Sequence, residues 1–226
     1  MNKKKSVIGL LLVAVISIAV MYMIDSIKNI EYLQKSAIKI VMFLILPTIY
    51  TLYDTNIKLK DNFKIKSIKS LTYSIALAIG VYLGILIVYF VLKDHIDLSN
   101  IMENLKNNAN VDKNNYIYIA LYISFINSLL EEFFFRGFIF LNLKKISERR
   151  VAYIASASMF SVYHLAFMGT WFNPLIFIIA MAGLFVGALI FNYLNEKSGN
   201  IYNSWIVHMM ANLSINTVGL IMYGFI

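Results

Sequence analysis

The 226-residue chain contains no cysteine, which excludes disulfides, thiolate metal sites, a cysteine nucleophile and S-linked lipid anchors together. Two prolines and ten glycines are too few for a collagen-like or linker-type sequence. Charge is scarce as well. Asp, Glu, Lys and Arg make up 14% of the residues and hydrophobic residues 60%, whereas a soluble domain averages about a quarter charged residues. So little polar material does not cover a water-facing surface, and composition therefore points to a polytopic membrane protein surrounded by lipid. The net charge of +8 then reports topology, because cations are retained on the cytoplasmic side, and no nucleic-acid partner is expected.

Apolar runs of about 17–25 residues, the length that crosses a bilayer, occur seven times. They are about Val7 to Ile24, Tyr32 to Tyr53, Ile68 to Leu92, Tyr116 to Leu143, Val151 to Met168, Pro174 to Leu194 and Ile201 to Ile226. Lys35, Lys39 and Pro47 shorten the clean part of the second, and the last is a candidate to break near Asn216 to Gly219. No alternating pattern suggests a barrel. The expected fold is an all-α transmembrane helix bundle of about seven spans, forming one membrane domain. Residues 1–115 supply three spans and an outer loop, and residues 116–226 supply the helical core that carries the motifs below. The first run reads as an uncleaved span, since its small-x-small triplet Ser17-Ile18-Ala19 lies inside the apolar stretch.

Placing the N-terminus in the cytoplasm puts 13 Lys and Arg in inner segments, counting Lys69 with the loop before it, and 6 in outer ones. The outer segments are Asp25 to Lys39, Lys93 to Asn115 and Gly169 to Asn173. A two-to-one bias in this sense is what the positive-inside rule requires. Three charges are left over: Glu131, Glu132 and Arg136, all within six residues of the fourth run. Each costs about 2.5–3.5 kcal/mol at a helix centre, so an intramembrane ionisable group is a functional hypothesis by default.

Glu132 and Arg136 are spaced i, i+4 and meet on one helix face, which reads as a structural ion pair. Glu131 is turned about 100° away, on a stripe with Ser124 and Asn127 or Ser128, and needs water or another helix's polar groups. His95 lies in an outer loop, His164 in the fifth run and His208 in the seventh. At about 1.5 Å per residue, Glu131, His164 and Asn212 reach similar depths, with His208 shallower. Ser204, His208, Asn212 and Asn216 form a second polar stripe, one residue per helical turn. A buried carboxylate opposite a histidine can activate water as a general base, while a second histidine and an asparagine can hold an oxyanion. One carboxylate and two imidazoles could equally make a three-ligand zinc site with an open position.

The order of these groups is specific. Glu131-Glu132-Phe133-Phe134-Phe135-Arg136 reads EExxxR, Phe160-Ser161-Val162-Tyr163-His164 reads FxxxH, and His208-Met209-Met210-Ala211-Asn212 reads HxxxN. Together, on three separate spans, they resemble the signature of the CPBP family, the type II CAAX prenyl endopeptidases and their bacterial relatives once called Abi proteins. The resemblance covers roughly Tyr116 onward. It implies an intramembrane endopeptidase acting on a membrane-associated protein or peptide, an eight-span fold, and a bacterial plasma-membrane location with the active-site cavity reaching the cytoplasmic side. It further implies that Glu131 and His164 activate water, His208 and Asn212 hold the oxyanion, and Glu132, Arg136 and Phe160 brace the site. In the metalloprotease description of the family, Glu131, His164 and His208 would be zinc ligands; the alternative description is a metal-free glutamate mechanism. Bacterial members need not act on prenylated proteins.

Two other classes compete. A silent membrane-binding or immunity protein would be marked by loss of a motif residue, and none is missing. A proton-coupled transporter would favour repeated halves with Gly/Pro-broken helices, which this chain lacks. Gly80 with Gly84 and Gly183 with Gly187 are GxxxG pairs, suited to close packing within the bundle or between subunits.

Overall fold

The computed structural model describes residues 2–27, 30–95, 97–168 and 174–226, and these are mainly helical with no β-strand among them. In chain order the helices are α1 (Lys3–Ser26), α2 (Tyr32–Tyr53), α3 (Ile68–His95), α4 (Leu98–Ala109), α5 (Tyr116–Ile146), α6 (Arg149–Tyr163), α7 (Pro174–Ser198) and α8 (Tyr202–Met222). Six of them, α1, α2, α3, α5, α7 and α8, are long and apolar enough to cross a membrane. This all-helical, polytopic architecture is the one expected; among the described residues six helices reach that length, where the sequence offers about seven apolar runs. The fifth run is divided by a turn at His164 into the 15-residue α6 and the short helix Leu165–Met168. A helix of that length rises only about 22 Å. The last run does not break near Asn216, because α8 continues without interruption to Met222, with Gly224 at a φ of 66° just beyond its end. The outer loop at Gly169 to Asn173 lies outside the described residues.

Lipid-facing positions follow the sequence pattern. Leu12, Val15, Leu52, Ile87 and Ile178 are exposed, on a scale a soluble protein does not sustain. The interior centres on α5, where Phe134, Phe135, Phe138, Ile139, Phe140 and Leu143 are fully buried against α1, α2 and α6. Phe43 of α2 stacks on Phe134 with ring centroids 4.1 Å apart. The two glycine pairs are not used for helix packing within the bundle: a Cβ placed at Gly80, Gly84, Gly183 or Gly187 would meet nothing within 4 Å among the described residues.

Two helices are not regular. In α2 the segment Val41–Ile45 takes a π-helical turn just ahead of Pro47, which has no N–H to donate. In α5 two π-helical stretches, Ile123–Asn127 and Glu132–Phe140, flank the single α-turn Ser128–Glu131. A π-turn widens the helix and changes which carbonyls the backbone satisfies, and in hydrocarbon every such group needs a partner. Side chains from neighbouring helices supply them. Ser17 donates to the Met42 carbonyl at 3.0 Å, Ser156 to Phe135 at 3.0 Å, and Asn62 to Gly137 at 2.8 Å. The polar stripe of α8 does the same along α5: Asn212 reaches the Ile123 carbonyl at 3.3 Å, and Asn216 reaches the Ala120 carbonyl at 3.1 Å and Ser124 Oγ at 3.0 Å. Tyr116 returns a bond to Asn216 Oδ1 at 3.2 Å. The α5–α8 contact is thus hydrogen-bonded turn by turn.

Asn216→Leu should therefore lower stability by about 1–3 kcal/mol, read as a reduced melting temperature in detergent. Ser26→Ala, at an exposed bond to its own helix, should stay within about 0.5 kcal/mol of the parent.

Candidate active site

The adjacent glutamates Glu131 and Glu132 point to different neighbours, as their angular separation requires. Glu132 is fully buried and ringed by donors. Arg136 Nη1 lies 3.0 Å from its Oε1, His208 Nδ1 lies 2.9 Å from the same oxygen, and the Ser204 hydroxyl donates to Oε2. Asn195 Nδ2 in turn donates to Ser204 Oγ at 2.7 Å. The expected Glu132–Arg136 pair is present, but it is one part of a larger knot that also fixes a histidine.

Arg136 is fully buried. Its guanidinium carbon lies 4.2 Å from the Phe160 ring centroid and 4.9 Å from that of Phe191, a desolvated cation–π arrangement. Its Nε and Nη2 have no hydrogen-bond partner among the described residues, so the aromatic rings supply much of its surroundings. Phe160 also touches both histidines, with centroids 4.7 Å from His164 and 5.7 Å from His208. One phenylalanine thus packs against the arginine and the two imidazoles together.

Glu131, 3% exposed, is held by a residue that the reading of the motifs missed. Lys39 Nζ lies 2.5 Å from Glu131 Oε1 and 2.5 Å from Asn127 Oδ1, while Asn127 Nδ2 donates to the same glutamate oxygen at 3.0 Å. The loop count places Lys39 in an outer segment, but it is 5% exposed and inside the bundle. The signal was available in its place within an apolar run, one turn beyond Lys35. The other glutamate oxygen, Oε2, lies 3.6 Å from His208 Nε2. Counted along regular helices His208 lies shallower than Glu131, whereas α8 brings it to both glutamates.

The protonation of each histidine is constrained by its partner. His164 Nδ1 lies 2.8 Å from the Phe160 carbonyl, which can only accept, so Nδ1 carries the hydrogen and Nε2 is bare in the neutral ring. His208 donates Nδ1–H to Glu132, which leaves Nε2 facing Glu131. His164 lies within electrostatic reach of Glu131, Lys39 and His208. Asn212 uses one amide hydrogen on the Ile123 carbonyl and keeps a second. The structure therefore gathers Glu131, Glu132, Arg136, Phe160, His164 and His208 at one locus, with Asn212 one turn along α8. A separate groove of 460 Å³ between α1 and α6, lined by Val15, Ile18, Tyr22, Met159 and Val162, contains none of these groups.

Zinc needs three donors converging on one point. Among the described residues no three His, Cys, Asp or Glu side chains do so, and a lysine ammonium already occupies one oxygen of Glu131. The residues present do not fit a three-ligand zinc centre.

Residues 113–214 match the family described as Type II CAAX prenyl endopeptidase Rce1-like. The match spans all three motifs and bears out the resemblance to the CPBP family. It supports an intramembrane protease of the CAAX type, in an integral membrane protein. No curated protein and no solved structure matches the chain.

Removing one partner from a buried ion pair costs about 3–5 kcal/mol because the other charge stays buried. Arg136→Leu should lose that much, seen as a large drop in melting temperature in detergent. Arg136→Leu combined with Glu132→Leu should be more stable than Arg136→Leu alone.

Proposed function

We propose that the protein is a metal-independent, glutamate-type intramembrane endopeptidase that hydrolyses a peptide bond of a membrane-associated protein or peptide. The observation that carries this reading is the buried Glu131 carboxylate, clamped through Oε1 and presenting Oε2 towards His208 Nε2 at 3.6 Å. Glu131 takes a proton from a water molecule that also donates to the bare Nε2 of His164. The hydroxide oxygen bonds to the scissile carbonyl carbon, and the displaced electron pair forms the oxyanion. In its imidazolium form His208, with Nδ1–H held on Glu132, offers Nε2–H to that oxyanion, and Asn212 offers its remaining amide hydrogen. Protonated Glu131 then gives its proton to the amine nitrogen as the C–N bond breaks. General-base and oxyanion contributions are each worth about 10²–10⁴-fold, which is sufficient reason to bury so much polarity in a bilayer.

Roles divide accordingly: Glu131 and His164 activate water, His208 and Asn212 hold the oxyanion, and Glu132, Arg136 and Phe160 keep His208 in place. We further infer that the N-terminus is cytoplasmic, on the basis of the lysine distribution.

The test pairs the metal content of detergent-purified protein with cleavage of a membrane-tethered peptide library before and after chelation. Cleavage should survive chelation. Glu131→Gln, His164→Ala and His208→Ala should each lower kcat by about 10³-fold or more, and Asn212→Ala by about 10²–10³-fold. About one zinc per chain, with activity lost on chelation and restored by zinc, would overturn the metal-free assignment. Glu131→Gln with full biological activity would move the protein to the membrane-binding or immunity class.

A further inference from the structure

Lys39 lies outside the span matched by the family, residues 113–214, yet it makes the shortest polar contact of Glu131 among the described residues. Three observations distinguish it from an incidental buried lysine. It is attached to the glutamate by an ion pair at 2.5 Å with both side chains under 10% exposed, so the contact is not screened by solvent. It is held from a second direction by Asn127 Oδ1 at 2.5 Å. Its ammonium also lies 4.8 Å from the Tyr163 ring centroid and 5.4 Å from that of Phe43, which places a cation over two aromatic rings. Tyr163 immediately precedes His164, so α2 and the end of α6 are tied at the same locus.

The geometry of the clamp has a chemical consequence. A carboxylate is symmetric, and a general base needs one defined lone pair aimed at the water. Lys39 and Asn127 both engage Oε1, which leaves Oε2 on the side of His208. Electrostatics point the same way. The pair Glu131 and Lys39 is neutral before the reaction. When Glu131 takes the proton, the negative charge moves to the substrate oxygen while the ammonium stays, so Lys39 offsets that charge throughout the step. Asp25 lies in the field of Lys39, Lys35 and Glu131, and Lys35 Nζ donates to the Asp25 carbonyl oxygen at 3.2 Å. The four charges Asp25, Lys35, Lys39 and Glu131 of α1, α2 and α5 thus sum to zero.

We propose that Lys39 is a positioning residue of this active site: it fixes the Glu131 carboxylate with one oxygen towards His208 and balances the charge that leaves Glu131 as water is activated. The inference rests on the endopeptidase reading above. It adds that the N-terminal helices complete the machinery rather than merely supporting it.

The experiment compares full-length Lys39→Met, Lys39→Arg, Glu131→Gln and the double variant Lys39→Met with Glu131→Gln, in cleavage of a membrane-tethered peptide library and in thermal unfolding in detergent. Lys39→Met should lower kcat by about 100-fold or more with KM within about twofold, a split that loss of packing alone does not produce. Lys39→Arg, which keeps the cation, should remain within about tenfold of the parent in kcat. The double variant should melt higher than Lys39→Met, since it removes the uncompensated buried charge. A Lys39→Met protein with the parent's kcat, alongside an inactive Glu131→Gln, would overturn the role of Lys39 and leave the protease reading standing. A Glu131→Gln protein as active as the parent would overturn both. Melting of Lys39→Met at or above the double variant would show that the pair is not coupled, and would also overturn the inference.

Discussion

Two carboxylates at consecutive positions of a membrane helix set the terms for the rest of this structure. Glu131 and Glu132 leave α5 about 100° apart, and Arg136 and Lys39 each make contact with only one of them. Glu132 finds Arg136 one turn along its own helix. Glu131 has no basic residue at i±3 or i±4, so its cation has to arrive from another element, and Lys39 of α2 provides it. Uncompensated, each charge would cost kilocalories in hydrocarbon; compensated, the group of four is neutral. The position of α2 beside α5 is therefore an electrostatic requirement as well as the packing of Phe43 on Phe134.

The irregularity of α5 follows from the same crowding. Its π-helical stretches bracket Glu131 and include Glu132 and Arg136. They re-aim side chains that a regular helix would place elsewhere, and they release carbonyls that must then be capped. The caps come from α1 onto α2, and from α6, α8 and the segment before α3 onto α5, through Ser17, Ser156, Asn212, Asn216 and Asn62. Side chains that look like scattered polar residues in apolar runs are thus the molecular glue of the bundle, and they orient the helices that carry the histidines. In this way the backbone distortion of the site and the cohesion of the fold depend on one another.

Much of this was legible in the sequence, and the part that was not has a physical cause. Apolar run length identified every long membrane helix, and the three charges unplaced by the loops identified the centre of the site. The i, i+4 rule predicted Glu132 with Arg136, and the four-residue period of Ser204, His208, Asn212 and Asn216 marked a polar stripe on α8, whose Asn212 and Asn216 the structure bonds to α5. Depth estimates at 1.5 Å per residue were less exact. They assume regular, parallel helices starting at one plane, whereas α5 is π-helical where it matters and α6 ends at Tyr163. Hydropathy also ran the fifth segment through His164, because a turn within an apolar stretch leaves no mark in composition. The glycine pairs had a packing role available to them, but GxxxG spacing specifies only that close approach is possible, not that a partner helix is there.

Lys39 was overlooked for a more general reason. Motif reading is local and compares residues within a helix turn or in a fixed order, whereas charge neutrality is a property of the whole buried volume. The three leftover charges summed to −1, which already required one further cation near the centre. Of the cations assigned to outer segments, Lys35 and Lys39 alone lie inside an apolar run, and Lys39 is the deeper. Asp25 accounts for Lys35 at the mouth, with its carboxylate 4.0 Å from that ammonium, so Lys39 is the one left to meet Glu131. Closing the charge balance over the membrane interior, instead of stopping at the recognised motif, leads from the sequence to the same pairing that the structure displays.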